Sequence, residues 1–125
     1  MKKQLESVAA FHKAFGQKDG RWPQPLEELD YQLRYSLMKE ENEEYLVACQ
    51  NNSLVDIADA LGDQLYILCG TILKHGMQNI IEEVFDEIQS SNMSKLGEDG
   101  KPVLRDDGKI LKGPNYFKPD LNKFV

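Results

Sequence analysis

The chain has 125 residues, and 15 Lys and Arg against 21 Asp and Glu give it a formal net charge of −6. This length fits one compact domain, which we expect to span residues 1–125. The excess of acids argues against binding to nucleic-acid polymers, because neutralising a phosphate backbone needs clustered basic residues. No apolar run approaches the roughly 20 residues of a membrane span. Without a secretory signal either, we expect a cytoplasmic protein with free thiols at Cys49 and Cys69.

Apolar residues at helical spacing predict four helices. Their expected ranges are 3–16, about 26–49, 54 to about 74 and about 77–91. The second helix carries an apolar stripe that we expect to be buried, formed by Leu26, Leu29, Leu33 and Leu37. The third helix is apolar on most sides, which is typical of the central helix of a bundle. We expect Ser53 to cap its start, with Asp56 at the capping-box position, and Gly76 to end it in a left-handed conformation.

The character of the sequence changes after Leu96, where glycines and prolines become frequent. Residues 102–105 and 109–112 flank Asp106-Asp107-Gly108, a pattern that predicts a short β-hairpin. The sequence therefore predicts an all-α fold of the four-helix-bundle type over about 3–96, with a hairpin and extended tail over about 97–125.

The negative charge is concentrated in the middle of the chain. Residues 27–63 contain ten acids and two bases, a net charge of −8, whereas residues 89–125 have a net charge of +2. On a helix that turns about 100° per residue, Glu41 and Glu44 extend the apolar stripe of the second helix, with Glu40 at its edge. In the third helix, Asp56, Asp59 and Asp63 also share a face with apolar neighbours.

Burying several carboxylates together is unfavourable unless bases, protons or metal ions compensate them. The two acidic helices offer few bases, so a hard divalent cation such as Mg²⁺, which prefers oxygen ligands, is the favoured solution. A solvated acidic surface is the simpler alternative, and the second set of acids on a shared face makes it less favoured. A di-iron bundle is disfavoured because neither His12 nor His75 follows a Glu at the E-x-x-H spacing.

These residues resemble the MazG-like, all-α nucleoside triphosphate pyrophosphohydrolases. Residues 40–44 (E-E-N-E-E) fit the E-E-x-x-E motif of that family, and residues 56–66 are similar to the E-x-x-D helix that follows it. Asn92-Met-Ser-Lys95 is similar to an N-x-x-K segment, and residues 107–116 resemble the tail of a smaller phage and bacterial branch. The resemblance covers most of the chain, and it implies an intracellular protein from a phage or a bacterium.

The chain departs from the family in the E-x-x-D helix. If Asp63 is the Asp of that motif, the Glu position holds Ala60, which cannot ligate a metal. If Asp59 is that Asp, its partner is the shorter Asp56. A third option, which we favour, pairs Asp59 with Asp63 one helical turn apart.

The resemblance implies Mg²⁺-dependent hydrolysis of a nucleoside triphosphate, ribo or deoxy, to the monophosphate and pyrophosphate, with Mn²⁺ as a substitute metal. It implies metal ligation by Glu41, Glu44, Asp59 and Asp63. Glu40 or Asp56 would support the metal or accept a proton from the attacking water. The expected catalytic residues are Glu41 and Glu40, and Asp56 is a further expected metal ligand. The expected substrate-binding residues are Asn92, Lys95, Lys112, Asn115 and Tyr116.

The family also implies a homodimer or a higher homo-oligomer, with which the strongly apolar third helix is compatible. A non-catalytic helical binding module, whose acidic face docks a partner, is the alternative function.

Overall fold

The computed structural model describes residues 1–125 and contains four α-helices. They are α1 (Lys2–Ala14), α2 (Glu28–Gln50), α3 (Leu54–Lys74) and α4 (Ile81–Met93). No strand forms, so the predicted all-α helical-bundle class is confirmed. The chain divides into two compact units, unit 1 (Met1–Asn79) with α1, α2 and α3, and unit 2 (Ile80–Val125) with α4 and the tail. The expectation of a single domain stays a prediction.

The ends of α3 lie where the sequence predicts them. The Ser53 side chain accepts a hydrogen bond of 3.2 Å from the backbone N–H of Asp56. The reciprocal bond of a capping box does not form, because the Ser53 N–H donates to the carbonyl of Ala48. At the other end Gly76 has a φ of 70°, and the N–H groups of Gly76 and Met77 donate to the carbonyls of Leu73 and Ile72. This pattern is a Schellman motif, which requires a left-handed residue.

In unit 1, α3 contacts both other helices and carries most of the core. The buried apolar residues are Leu5, Val8, Ala48, Ala60, Cys69, Ile72 and Leu73. Both cysteines are free, as predicted. No helix is long and apolar enough to cross a membrane.

None of the four residues of the apolar stripe predicted to be buried on α2 is buried, which corrects the sequence interpretation: Leu26 and Leu37 are half-buried, and the other two are exposed. Leu29 is 87% exposed and Leu33 is 56% exposed. The side of α2 that meets α3 instead carries the buried residues Arg34 and Ala48. Periodicity identified an apolar face correctly, but it could not tell whether that face packs within the chain.

Unit 2 is less regular than the sequence predicts. Helix α4 begins at Ile81 rather than near Met77, because residues 78–80 form a turn after the Schellman motif. The predicted hairpin is reduced to one antiparallel bridge between Leu104 and Ile110. Two backbone hydrogen bonds of 2.8 Å support it, from Arg105 to Lys109 and from Leu111 to Val103.

Candidate active site

Three carboxylates from α2 and α3 converge in unit 1. Glu41 and Glu44 are three residues apart on α2 and so share a face of that helix. Asp63 reaches them from α3, and one carboxylate oxygen of each of the three residues lies within 4.8 Å of the others. Glu41 and Asp63 are half-buried, while Glu44 is exposed. We call Glu41, Glu44 and Asp63 the carboxylate cluster.

The electrostatics of the cluster are dominated by its own negative charge. The pKa of Glu41 is raised to about 7, first because burial disfavours its ionised form. A hydrogen bond with Glu44 and repulsion from Glu44, Asp63 and Glu40 raise this pKa further. The charged groups that shift the pKa of Glu41 are all acids.

The cluster fits a divalent cation by its donor set. The Oε2 atom of Glu41 is buried and has no hydrogen-bond partner, a state that costs free energy for any buried acceptor. Three carboxylate oxygens within a few ångströms are the ligands that Mg²⁺ and Mn²⁺ prefer, and a cation there would satisfy the buried oxygen. The residues present therefore suit a hard divalent metal.

An open cleft of about 410 Å³ lies beside the cluster, between the second half of α2 and the first half of α3. Its acidic lining residues are Glu40, Glu43, Glu44, Asp56 and Asp59. Asp56 and Asp59 are exposed and lie outside the group of oxygens formed by Glu41, Glu44 and Asp63. Ala60, also in this lining, is only 2% exposed. Metal ligation by Asp59 or Asp56 stays a prediction.

Arg34 is a buried residue that the sequence analysis did not place. It is 6% exposed and hydrogen-bonds to α3, with its Nε donating to Thr71 Oγ1 at 3.0 Å and its Nη2 to the carbonyl of Ile67 at 2.9 Å. Burial lowers the pKa of Arg34, and the charge of Asp19 opposes this effect. A signal that could have pointed to Arg34 is Gly70, which lies in the buried second half of α3 and leaves room there for a side chain from another helix.

The five predicted substrate-binding residues all belong to unit 2. Two hydrogen bonds hold the tail against α4: the Ser91 hydroxyl donates to the carbonyl of Phe117 at 2.8 Å, and the Phe117 N–H donates to the Ser94 hydroxyl at 3.2 Å. These bonds attach Phe117 near the end of α4, where Asn92 lies in the last turn and Lys95 follows the helix. The Lys112 ammonium lies 4.8 Å from the ring centroid of Tyr116, within the range of a cation–π contact.

Comparison with known proteins identifies the family. The family model described as phosphoribosyl-ATP pyrophosphohydrolase matches residues 8–92, more than half of the chain. The chain belongs to the phosphoribosyl-ATP pyrophosphohydrolase family. No curated protein matches it at a significant level.

Membership of the phosphoribosyl-ATP pyrophosphohydrolase family confirms the resemblance to MazG-like, all-α enzymes and the prediction of a hydrolase acting on phosphoric anhydride bonds. Enzymes of this family act on nucleotides and are typically metal-dependent. The match includes both acidic helices and Asn92, whereas Lys95, Lys112, Asn115 and Tyr116 lie beyond it.

Proposed function

We propose that the chain is a Mg²⁺-dependent nucleoside triphosphate pyrophosphohydrolase, which converts a ribo- or deoxynucleoside triphosphate and water to the monophosphate and pyrophosphate. The observation that carries this proposal is the convergence of Glu41, Glu44 and Asp63 beside an open cleft, in a chain of a pyrophosphohydrolase family. A strongly anionic polyphosphate would be repelled by these acids alone, so the reaction needs a cation between protein and substrate.

The carboxylate cluster would hold Mg²⁺, or Mn²⁺ in its place. When bound, the cation neutralises phosphate charge and makes a water molecule more acidic, as in other metal-assisted phosphoryl chemistry. Asp59 and Asp56 face the adjacent cleft, where they can support the site or orient water. Glu40 lines the same cleft and is our candidate for accepting the proton of the attacking water.

The residues of unit 2 are candidates for binding the substrate. Lys95 and Lys112 carry charges that suit phosphate oxygens, and Asn92 and Asn115 can hydrogen-bond to a phosphate, the sugar or the base. Tyr116 offers an aromatic face for stacking on a base.

We also propose that the chain works as a homodimer or a higher homo-oligomer. Several large apolar side chains on α2 and α3 are exposed in the single chain, among them Leu29 (87%), Leu54 (81%) and Val55 (79%). Apolar side chains that the chain itself leaves uncovered are available for burial against a second copy. Sedimentation equilibrium would test the oligomer, and Leu29→Lys should weaken it if α2 lies in the interface.

Release of pyrophosphate is the decisive assay. The purified chain would be incubated with standard, deoxy and oxidised nucleoside triphosphates and with phosphoribosyl-ATP, in Mg²⁺, in Mn²⁺ and in EDTA. We expect turnover of at least one nucleotide with a metal and none in EDTA. Asp63→Asn should abolish it, while Asp30→Asn, the same change at an exposed position outside the cluster, should not.

The alternative, a non-catalytic binding module with an acidic docking face, predicts no turnover of any nucleotide and no stabilisation by Mg²⁺. Failure of the whole panel at high protein concentration, with the chain folded, would refute the enzymatic proposal.

A further inference from the structure

A buried polar cluster joins three segments of unit 1 to α3. Its members are His12, Asp19, Arg34, Gly70 and Thr71, which we call the Arg34 cluster. His12 is 3% exposed, and its Nδ1 lies 2.5 Å from a carboxylate oxygen of Asp19. The Arg34 guanidinium donates to the Thr71 hydroxyl and to the carbonyl of Ile67. Residues from α1, from the segment after it and from α2 thus come together at the same part of α3, around Gly70.

Gly70 makes room for this arrangement. A Cβ atom at position 70 would lie 2.6 Å from Nη2 of Arg34 and 3.1 Å from Nε2 of His12. Both distances are too short for ordinary packing, so even alanine would displace the guanidinium from α3. The close approach of Arg34 to the backbone of α3 therefore depends on glycine.

The Arg34 cluster and the carboxylate cluster are separated by the same number of residues along α2 and along α3. Along α2, Glu41 follows Arg34 by seven residues, and along α3, Asp63 precedes Gly70 by seven residues. The helices run in opposite directions, because Arg34 bonds to Ile67 whereas Asn42, later on α2, bonds to Gln64, which is earlier on α3. Seven residues are about two helical turns, or about 10 Å. The contact at Arg34 and Gly70 thus fixes the level at which Glu41 meets Asp63.

A change of this register would separate the carboxylates. A slide of one helix by one residue shifts its side chains by about 1.5 Å and turns their direction by about 100°. The acids repel one another and provide no force that restores their alignment. Arg34, buried and hydrogen-bonded across the interface, provides an attractive contact with a directional geometry.

We propose that Arg34 is a positioning residue, which sets the register of α2 and α3 that brings Glu41, Glu44 and Asp63 together as a cation site. It acts through the helices and touches neither the cation nor the substrate. The cation part of this statement rests on the proposed function, whereas the register part does not.

The first test measures Mn²⁺ affinity by electron paramagnetic resonance in the full-length chain, at a temperature where circular dichroism shows unchanged helix content. Residues that hydrogen-bond directly to metal ligands change metal affinity by about 10- to 100-fold when replaced, and a change of register would displace the ligands of one helix from those of the other. We expect Arg34→Met and Gly70→Ala each to raise the Kd for Mn²⁺ by at least about tenfold. Arg21→Met, the same charge change at an exposed residue, is the matched control.

The variants also test the contact itself. In the Arg34→Met background, Gly70→Ala should raise the Kd less than it does in the unmodified chain, because the shortest of the predicted clashes, 2.6 Å from Nη2 of Arg34, is absent and only the approach to His12 at 3.1 Å remains. Arg34→Lys keeps the charge but loses the paired hydrogen bonds, so it should give an intermediate Kd. If Arg34→Met does not fold, Arg34→Lys replaces it in every comparison.

The second test probes the register of α2 and α3 in the absence of metal, through the rate at which a disulfide forms between the two helices. Asn42 and Gln64, whose side chains hydrogen-bond at 3.2 Å, are both replaced by Cys in a Cys49→Ser background. We expect the disulfide between positions 42 and 64 to close markedly more slowly with Arg34→Met than with Arg21→Met. Equal closure rates in the two variants, or equal Kd values for Mn²⁺, would overturn the proposal. If the unmodified chain binds no Mn²⁺, the cation site of the proposed function is refuted, and the closure rates decide the register role.

Discussion

Replacing Glu41 by Gln should stabilise the metal-free protein above neutral pH. The pKa of Glu41 is raised from 4.5 to about 7, so the native chain binds this proton more tightly than the unfolded chain does. Ionisation of Glu41 therefore costs stability. The cost is absent below the unfolded pKa of 4.5, grows between there and about 7, and is complete above about 7. Glutamine has nearly the same shape and never ionises, so it removes the cost.

The size of the effect follows from the shift. At about 1.4 kcal/mol per pKa unit, a shift from 4.5 to about 7 sets an upper limit of about 3.5 kcal/mol. Glu41 is only half-buried and Glu44 is exposed, so solvent screening reduces the gain to about 1 kcal/mol. For a chain of this length, about 1 kcal/mol raises the Tm by about 3–5 °C.

The assay is thermal unfolding followed by circular dichroism in EDTA, from about pH 4 to about pH 8. We expect Glu41→Gln and the unmodified chain to melt together at the acid end and to diverge as the pH rises. Glu43→Gln, at an exposed neighbour outside the carboxylate cluster, is the control and should change the Tm little at any pH. A Tm gain for Glu41→Gln that does not depend on pH, or a loss of stability at about pH 8, would refute the electrostatic reasoning.

Four further predictions concern the metal and α3. The Kd for Mg²⁺ should fall as the pH rises towards about 7, because the cation competes with the proton on Glu41. Calorimetry in two buffers of different ionisation enthalpy should detect the release of this proton. Binding of Mg²⁺ that does not depend on pH would contradict the prediction. Ser53→Ala should cost about 1 kcal/mol in urea unfolding and Ser53→Asp much less, whereas equal losses would argue against capping. Gly76→Ala should cost more than about 1 kcal/mol, because φ is 70° and the new Cβ would lie 2.1 Å from the carbonyl oxygen of Trp22. Gly62→Ala, where a Cβ meets nothing within 4 Å, should instead stabilise α3 by about 0.5–1 kcal/mol.

The sequence was most informative where structure depends on local chemistry. The bounds of α3 were predicted because Ser53 and Gly76 satisfy backbone groups within a few residues of themselves. The start of α4 was misplaced because the turn after Gly76 uses residues that are themselves compatible with a helix. The exposure of Leu29 and Leu33 could not be predicted, since periodicity gives a face but not its partner.

The candidate site was predictable in part for the same reason. The spacing of Glu41 and Glu44 follows from the helix itself, so their shared face was foreseeable from the sequence. The choice among Asp56, Asp59 and Asp63 depends on the register between two helices, which is a tertiary property. The structure brings Asp63 to Glu41 and Glu44, whereas Asp56 and Asp59 line the adjacent cleft. Arg34 was counted only as a nearby base, because burial of an arginine cannot be deduced from its own sequence position.

The two halves of α3 are anchored very differently. Four of its five buried residues, Cys69, Gly70, Ile72 and Leu73, lie in its last six positions, whereas the first half is mostly exposed and carries the acids. Local opening costs least where few side chains are buried. In the free chain, amide hydrogens should therefore exchange faster around Asp59 than around Ile72. A ligand that orders the first half of α3 would slow amide exchange in that half selectively. Part of the binding free energy of the ligand would then be spent on ordering these residues.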